Sequence, residues 1–323
     1  MRQYSLRKGV MDNPNHRSSH VYPTPRGGGA AIVFAFLVGL LIQQLWFGFN
    51  GFLITLMLGA LAVAAIGFVD DHRHVPARIR FLIHVLAATV VVLAVPSPVE
   101  LDLGLASLYV TGMLLPLVAL GVVWLLNLTN FMDGIDGIAG VQTCAGCGLV
   151  ALLLLTAGAP SDLFCPPVLL ALSSLGFLCW NFPPAKIFMG DVGSGTLGLL
   201  FGGLAWWHAS ADSKWLYVWL IILGVFVVDA TYTLLRRAAQ GEKLSLPHRS
   251  HAYQHATQRL GSHRKVTLGV LAIILLWLAP WAALVAFSVL NGMLALLIAY
   301  APLLACAVYL RAGQADSFKF NHS

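Results

Sequence analysis

Two adjacent carboxylates, Asp70 and Asp71, stand at the end of a long apolar run of the sequence. Burying even one unpaired carboxylate beside lipid is costly, so a bare pair at such a place is suited to bind a cation. A solvated helix end, followed by His72 and Arg73, is the alternative reading. The pair alone is therefore a weak signal for a metal or phosphate site.

A polar stretch ends another apolar run, between residues 127 and 137. Four side chains recur in it at every third position and would share one face of a helix: Asn127, Asn130, Asp133 and Asp136. Such a mixture of amides and carboxylates can hydrogen-bond a nucleobase or a ribose and hold a metal. A plain loop is the alternative. The CDP-alcohol phosphotransferases also have a motif that begins with Asp-Gly, but the Ala-Arg pair and the further aspartates that it requires are missing here.

A single carboxylate, Asp191, lies among Gly190, Gly193 and Gly195. We expect a loop to enter a helix at this point, and the free N–H groups of a helix start bind phosphate. A carboxylate there suits Mg²⁺ that bridges phosphates. A simple capping role for Asp191 is the alternative, and it is compatible with metal binding.

A basic segment near residue 250 contains His248, Arg249 and His251. Two imidazoles and a guanidinium so close together are suited to hold a pyrophosphate. A merely solvated basic loop is the alternative.

The elements that position these residues are predicted to be membrane-spanning helices. The chain has 323 residues, of which 59% are hydrophobic and 10% charged, and this leaves too few polar side chains to cover a water-soluble globule. Its apolar runs are continuous rather than alternating, which indicates helices and not barrel strands. We predict an all-α polytopic membrane protein, a single domain over residues 1–323, with about ten spans at 30–48, 52–69, 79–96, 108–128, 138–157, 166–182, 194–209, 215–235, 266–288 and 293–310.

Charge asymmetry predicts the orientation of these spans. The segments expected on the inner side are 1–29, 70–78, 129–137, 183–193, 236–265 and 311–323. Of the 19 Lys and Arg residues, Lys214 alone lies away from these inner segments, so we predict both termini on the cytoplasmic side. The candidate carboxylates also lie in the inner segments or at their borders, which predicts an active site on the cytoplasmic face. Residues 1–25 are polar and basic, and no cleavable signal peptide is expected.

Two other classes of function fit the sequence less well. The net charge of +6 does not indicate nucleic acid, because no basic stripe interleaved with aromatic residues accompanies it. A transporter, or a carrier of lipid-linked sugar without chemistry, would place ionisable residues near the bilayer midplane on broken helices. Asp229 is the acid that lies well inside a predicted span. A scaffold protein would leave the acidic residues unexplained.

In their order along the chain, these motifs and the Thr-Pro-Arg-Gly-Gly-Gly stretch at 24–29 resemble those of the polyprenyl-phosphate N-acetylhexosamine 1-phosphate transferases, glycosyltransferase family 4. The resemblance covers nearly the whole chain. This superfamily includes the phospho-N-acetylmuramoyl-pentapeptide translocases and the enzymes that start O-antigen, enterobacterial common antigen and teichoic acid synthesis. The motif at 248–254 is most similar to that of pseudomonad-type O-antigen initiating transferases, which points away from a muramoyl-pentapeptide substrate.

The resemblance implies that Asp191 coordinates Mg²⁺, with Mn²⁺ as an alternative, and that Asp70 and Asp71 are catalytic residues that handle the metal or the attacking phosphate. The implied reaction is attack by a polyprenyl phosphate oxygen on the sugar-proximal phosphorus of a UDP-sugar, which releases UMP. We favour direct displacement because the acceptor phosphate is already mostly dianionic at neutral pH and needs no strong base. A phospho-aspartyl intermediate remains open.

The resemblance also implies the substrates and the pocket of the donor. Asp136 and Phe188 would contact uracil, and Asn130 and Asp133 would line the same pocket. The donor would carry N-acetylglucosamine, N-acetylfucosamine or N-acetylquinovosamine, and the acceptor would be undecaprenyl phosphate. The product would start O-antigen, lipopolysaccharide or related envelope polysaccharide synthesis at the bacterial inner membrane, in contact with its lipids. A homodimer is left open.

Two departures from the family concern the start of the chain. The translocases carry a lysine just before their Thr-Pro pair, where this chain has His20, Val21 and Tyr22, so no lysine role is carried over. Relatives usually have an additional span before the segment that matches residues 7–20, which would give eleven spans. The resemblance therefore implies either a first methionine assigned too far downstream or a protein with one span fewer.

Overall fold

The computed structural model describes residues 1–12, 22–73, 75–96, 98–104, 106–243 and 248–314. The described chain is nearly all helical. The helices are α1 Arg2–Lys8, α2 Gly29–Phe47, α3 Gly51–His72, α4 Ala77–Leu93, α5 Leu115–Met132, α6 Ile138–Thr156, α7 Ser161–Asn181, α8 Asp191–Ala211, α9 Lys214–Ile222, α10 Gly224–Ala239, α11 Ala252–Leu260, α12 His263–Ala272, α13 Ala279–Ala286 and α14 Gly292–Tyr309, with a π-helical segment at Ile273–Leu278 between α12 and α13. Two short antiparallel hairpins pair β1 (Met11–Asp12) with β2 (Thr24–Pro25) and β3 (Val99–Asp102) with β4 (Ser107–Val110).

The prediction of a helical polytopic membrane protein is confirmed. Seven helical segments are long and apolar enough to cross a membrane, and the bent pair α9–α10 makes eight. The other two predicted spans are α4, which has 17 residues, and the glycine-rich α8. Helix α8 runs antiparallel along the length of α3, since Gly67 touches Asp191 at one end and Phe52 stacks on Trp207 at the other. By length and composition alone, seven or eight segments qualify as spans, which is fewer than the ten or so that were predicted.

Two predicted spans differ most from the structure. The span at 108–128 starts too early, because Ser107–Val110 forms strand β4, and the helix begins at Leu115 with Pro116 in its first turn. The span at 215–235 is two helices that meet at Leu223 with a bend of 73°. Gln142 donates a hydrogen bond to the carbonyl of Ile222 at 3.1 Å and so satisfies a backbone group next to the bend.

Helix α8 is the centre of the bundle. It packs between α3 and α5, and its residues from Val192 to Ala209 are all buried. Glycines make this packing close: a Cβ at Gly198 would lie 2.5 Å from the backbone of α5, and one at Gly29 would collide with Gly193. The start of α8 is thereby held directly against α2, α3 and α5.

The helix ends that carry the candidate residues meet at one end of the bundle. The end of α3 and the start of α8 touch, as do the end of α5 and the start of α11. The end of α7 contacts the start of α6 through Asn181, which accepts a hydrogen bond from the amide of Gly137. We call this end of the bundle the active face. Residues 13–21, 74, 244–247 and 315–323, which belong to predicted inner segments and include His20 and Val21, lie outside the described residues.

We expect the active face to lie on the cytoplasmic side, and cysteine labelling tests this. In a variant without the native cysteines, a cysteine at Ser161, on the opposite end of the bundle, should react with an impermeant thiol reagent added to intact cells. A cysteine at the exposed Gln240 should react only after the membrane is permeabilised. Labelling of both positions from the same side would contradict the predicted topology.

Candidate active site

The segment before α2 is held against the start of α8 by backbone hydrogen bonds. Phe188 donates to the carbonyl of Pro25 at 2.8 Å, and the amides of Gly28 and Gly29 donate back to Phe188 and Met189 at 2.8 and 2.9 Å. This pairing places the Thr-Pro-Arg-Gly-Gly-Gly stretch beside Asp191. Two motifs that are far apart in the sequence thus form one strand-like wall of the site.

Asp71 caps helix α8 from another helix. Its side chain is fully buried and accepts hydrogen bonds from the amides of Asp191 and Val192 at 2.9 and 3.2 Å. These are N–H groups that a helix start leaves free, and a negative charge there is favoured by the helix dipole. Gly190 has φ 77°, and a Cβ at this position would collide with the Asp71 carboxylate, so glycine is required on both counts. The alternative expectation that Asp191 itself is the cap is wrong.

Two arginines bind the carboxylates of this cluster. Arg26 Nε lies 2.9 Å from Asp71 Oδ1, and Arg26 Nη2 lies 2.6 Å from Asp191 Oδ1. Arg80 Nη1 lies 2.6 Å from Asp70 Oδ2 and 2.8 Å from Asp191 Oδ2. Asp191 thus stands between two guanidinium groups, and charge repulsion among the three carboxylates is balanced.

The chemistry of this donor set fits a magnesium ion. Asp70 Oδ2 and Asp191 Oδ2 both bind Nη1 of Arg80, so a metal held by these two oxygens would take the place of this guanidinium nitrogen. The described residues contain no group of three or more His, Cys, Asp or Glu side chains that could hold a metal without further ligands. Mg²⁺ usually takes one or two protein carboxylates and completes its shell with water and substrate phosphates. Two carboxylates are therefore sufficient.

The end of α5 adds an amide to the cluster. Asn130 Nδ2 donates to Asp191 Oδ1 at 3.1 Å and to Ser194 Oγ at 2.9 Å. The prediction that Asn130, Asp133 and Asp136 share one helix face is wrong, since α5 ends at Met132 and both aspartates lie in the following turn. The chain turns here because Gly137 adopts φ 79° before α6 begins.

Asp133 is the carboxylate of this turn that is left for a ligand. Its side chain forms no hydrogen bond or ion pair with another described residue. Burial is the main cause that raises the pKa of Asp133 well above its ordinary value, and the charge of Arg26 opposes this effect. The neighbouring carboxylates of Asp191 and Asp71 raise the pKa further, because they disfavour another negative charge. A metal or a ribose hydroxyl would relieve this cost.

Asp136 is bound within the protein. Its Oδ2 accepts a hydrogen bond from the amide of Ala185 at 2.9 Å, and its Oδ1 lies 3.1 Å from His263 Nδ1. Thr267 donates to its backbone carbonyl at 2.8 Å. Asp136 therefore joins the loop before α8 to helix α12. The contacts of Asp136 and Phe188 with uracil remain predictions.

The basic segment after α10 lies against the end of α5. Its His251 is buried, whereas His248 and Arg249 are half-buried. Burial lowers the pKa of His248 to about 4, and the charges of His251 and Arg237 lower it further. His248 is therefore neutral at neutral pH. The Nε of Arg249 is buried without a hydrogen-bond partner among the described residues, so this guanidinium has a donor left for a phosphate.

Comparison with known proteins identifies the family. The family model described as "Glycosyl transferase family 4" matches residues 53–209. A "Probable undecaprenyl-phosphate N-acetylglucosaminyl 1-phosphate transferase" of Bacillus subtilis is 31% identical over 288 residues, which cover 85% of this chain and 76% of that protein. The chain belongs to glycosyltransferase family 4. The predicted enzyme class, a polyprenyl-phosphate sugar-1-phosphate transferase, is thereby confirmed.

Two further relatives of this family 4 chain carry names that specify other substrates. The "Decaprenyl-phosphate N-acetylglucosaminephosphotransferase" of Mycolicibacterium smegmatis is 31% identical over an alignment of 331 positions that spans 89% of this chain and 76% of that protein. The "Phospho-N-acetylmuramoyl-pentapeptide-transferase" of Granulibacter bethesdensis is 30% identical over 264 residues, with 70% and 69% coverage. These likenesses show the family, but they do not show membership in its pseudomonad-type O-antigen branch.

Sequence reasoning missed the two arginines of this family 4 site. Arg26 was part of a motif but received no role, and Arg80 received none at all. A signal for Arg80 exists in the sequence, because it lies in the first turn of α4 after Pro76, where the helix dipole disfavours a positive charge. A carboxylate can offset this cost, and Asp70 does so for Arg80.

Proposed function

We propose that this protein transfers an N-acetylated sugar 1-phosphate from a UDP-sugar to a polyprenyl phosphate and releases UMP. The observation that supports this most is the convergence of Asp70, Asp71 and Asp191 with Arg26 and Arg80 at one end of the bundle. The cluster combines metal-binding oxygens with fixed positive charges, which suits a reaction between two phosphates. The names of the relatives point to the same reaction.

The chemical difficulty of this reaction is that two anions must meet. Arg26, Arg80 and Arg249 would offset this charge and orient the phosphates, since a guanidinium can bind phosphate through two parallel hydrogen bonds. Asp70 and Asp191 would hold Mg²⁺, or Mn²⁺ in its place, which when bound neutralises charge on the diphosphate. The acceptor is mostly dianionic at neutral pH and can attack without a general base.

The remaining candidate residues would bind the donor. Asp133 and Asn130 face the cluster from the end of α5 and would contact the ribose or the diphosphate. Asp136 and Phe188 stay proposed for the uracil side of the pocket. The segment after α10 would close over the diphosphate with its three proposed ligands: His248, Arg249 and His251.

The sugar and the pathway are finer parts of the proposal. N-Acetylglucosamine is the sugar in the names of two relatives. The resemblance of the motif at 248–254 points away from a muramoyl-pentapeptide and keeps N-acetylfucosamine and N-acetylquinovosamine as the other candidate sugars. Undecaprenyl phosphate would be the acceptor, and the product would start O-antigen or a related envelope polysaccharide. The active face would lie on the cytoplasmic side of the bacterial inner membrane, where UDP-sugars are made.

An assay of the purified protein in detergent tests the proposal. With Mg²⁺ and undecaprenyl phosphate, one of the three UDP-sugars should give UMP and a lipid whose mass has increased by the sugar phosphate. Omitting the acceptor, or chelating the metal, should abolish UMP release. A carrier without chemistry would instead move lipid-linked sugar across liposomes and give no UMP with any donor, and that result would contradict the proposal.

A further inference from the structure

A carboxylate inside the bundle holds the basic segment after α10 in place. Asp229 lies on α10 and is buried, about three turns from the helix end. Its Oδ1 accepts a hydrogen bond from the amide of Ala252 at 2.8 Å, and its Oδ2 accepts one from the amide of Tyr253 at 2.9 Å. His251 Nδ1 lies 3.3 Å from Oδ1. Both carboxylate oxygens are thus used by one short segment.

This arrangement accounts for an otherwise costly buried charge. The amides of Ala252 and Tyr253 are the first two of helix α11, which the helix itself leaves free. A negative charge at this position is also favoured by the helix dipole. Arg237, further along α10, lies 3.5 Å from the Ser250 hydroxyl, so the same helix contacts the segment at a second point.

The far side of the same segment is docked on the active site. The Tyr253 hydroxyl donates to the carbonyl of Phe131 at 2.9 Å and touches Gly134, on either side of Asp133. Burial raises the pKa of Tyr253 well above its ordinary value, so the hydroxyl keeps its proton and remains a donor. The ring of His251 stacks on Phe131 with centroids 6.2 Å apart. Asp229 and the end of α5 therefore hold the segment between them.

We propose that Asp229 is a positioning residue of the transferase, which fixes the segment 248–253 so that Arg249 and His251 are presented to the phosphates beside Asp133. The inference rests on the proposed function of this segment in phosphate binding. With Nδ1 of His251 directed at Asp229, Nε2 is the ring nitrogen that can face a ligand. Asp229 acts through the segment and touches no substrate itself.

Asp229→Asn is the variant that tests this proposal. Asn has nearly the same shape but a single acceptor oxygen, so its NH₂ group would oppose the N–H of Ala252 or of Tyr253. We expect kcat for UMP release to fall about 10- to 100-fold, the usual range for a lost charge-assisted hydrogen bond. Hydrogen exchange of the amides of Ala252 and Tyr253 should become faster, and this readout does not depend on turnover. Asp212→Asn, which makes the same change at an exposed carboxylate paired with Lys214 at the opposite end of the bundle, is the matched control and should behave as wild type.

A double variant separates positioning from a merely structural role. If Asp229 acts through the segment, the loss of turnover in Asp229→Asn combined with Arg249→Ala should be smaller than the product of the two single losses. Multiplying losses, or a lower melting temperature with unchanged kcat per folded molecule, would overturn the proposal. Should Asp229→Asn fail to fold, Tyr253→Phe carries the test, because it loosens the same segment at α5, and wild-type turnover in that variant would be equally decisive against it.

Two further variants test the proposed phosphate binding by this segment separately from the role of Asp229. Wild-type turnover in both Arg249→Ala and His251→Ala would remove the segment from phosphate binding, whatever Asp229 does. A loss of turnover in these two variants together with wild-type kcat in Asp229→Asn would leave the proposed function intact and overturn the role of Asp229 alone.

Discussion

Replacing Asp191 by Asn should lower kcat for UMP release at least about a hundredfold, which corresponds to several kcal/mol of lost charge stabilisation. Asp191 lies at the centre of the site, because the side chains of Arg26, Arg80 and Asn130 all bind its carboxylate oxygens. Asn preserves the size of the side chain but removes the charge, and its NH₂ group would face an arginine. The start of α8 is capped by Asp71 and not by Asp191, so the variant should still fold.

The measurement is steady-state kinetics of purified protein at increasing Mg²⁺ and Mn²⁺. If metal binding is weakened rather than lost, a high metal concentration should restore part of the turnover. Asp212→Asn is the matched control, because it makes the same change at the opposite end of α8, where the side chain is exposed and paired with Lys214. Near-normal turnover of the Asp191 variant with unchanged Mg²⁺ dependence would refute the assignment.

Replacing Asp71 by Asn should have the largest effect on stability. The fully buried Asp71 carboxylate accepts two hydrogen bonds from the start of α8 and one ion pair from Arg26. Asn can accept with only one oxygen, and it removes one of the two carboxylates that pair with Arg26, so that Asp191 remains as the other. We expect a loss of about 2–4 kcal/mol in the free energy of unfolding, together with loss of activity because the start of α8 would move.

Thermal unfolding in detergent measures this effect, and the neighbouring Asp70 supplies the comparison. The Asp70 side chain is about one-tenth exposed and binds Arg80 and the amide of Val75. It meets α8 through the side chain of Asp191, whereas the two free amides at the start of α8 are bound by Asp71. Asp70→Asn should therefore lower turnover with a smaller drop in melting temperature. Equal melting temperatures for both variants would show that the cap by Asp71 does not stabilise α8.

The sequence predicted much of the architecture because membrane helices are specified locally. A continuous apolar run must form its backbone hydrogen bonds within itself, so the positions of α2, α3, α6 and α14 follow closely from composition. The start of a helix at Asp191 was also predictable, since glycines before an apolar run mark a loop entering a helix. The grouping of the candidate residues at one end followed from counting the spans.

What only the tertiary structure decided is which charges pair and where a polar stretch leaves its helix. Arg26 and Asp191 are separated by 165 positions, and Arg80 and Asp191 by 111, so no local pattern joins them. The end of α5 at Met132 depends on contacts of the next turn with α7 and α12, which spacing cannot reveal. Asp229 looked like an isolated acid in a span because its partners, the free amides of α11, exist only once that helix has formed and packed against α10. Electrostatic pairing acts through space, whereas sequence periodicity reports only neighbours along the chain.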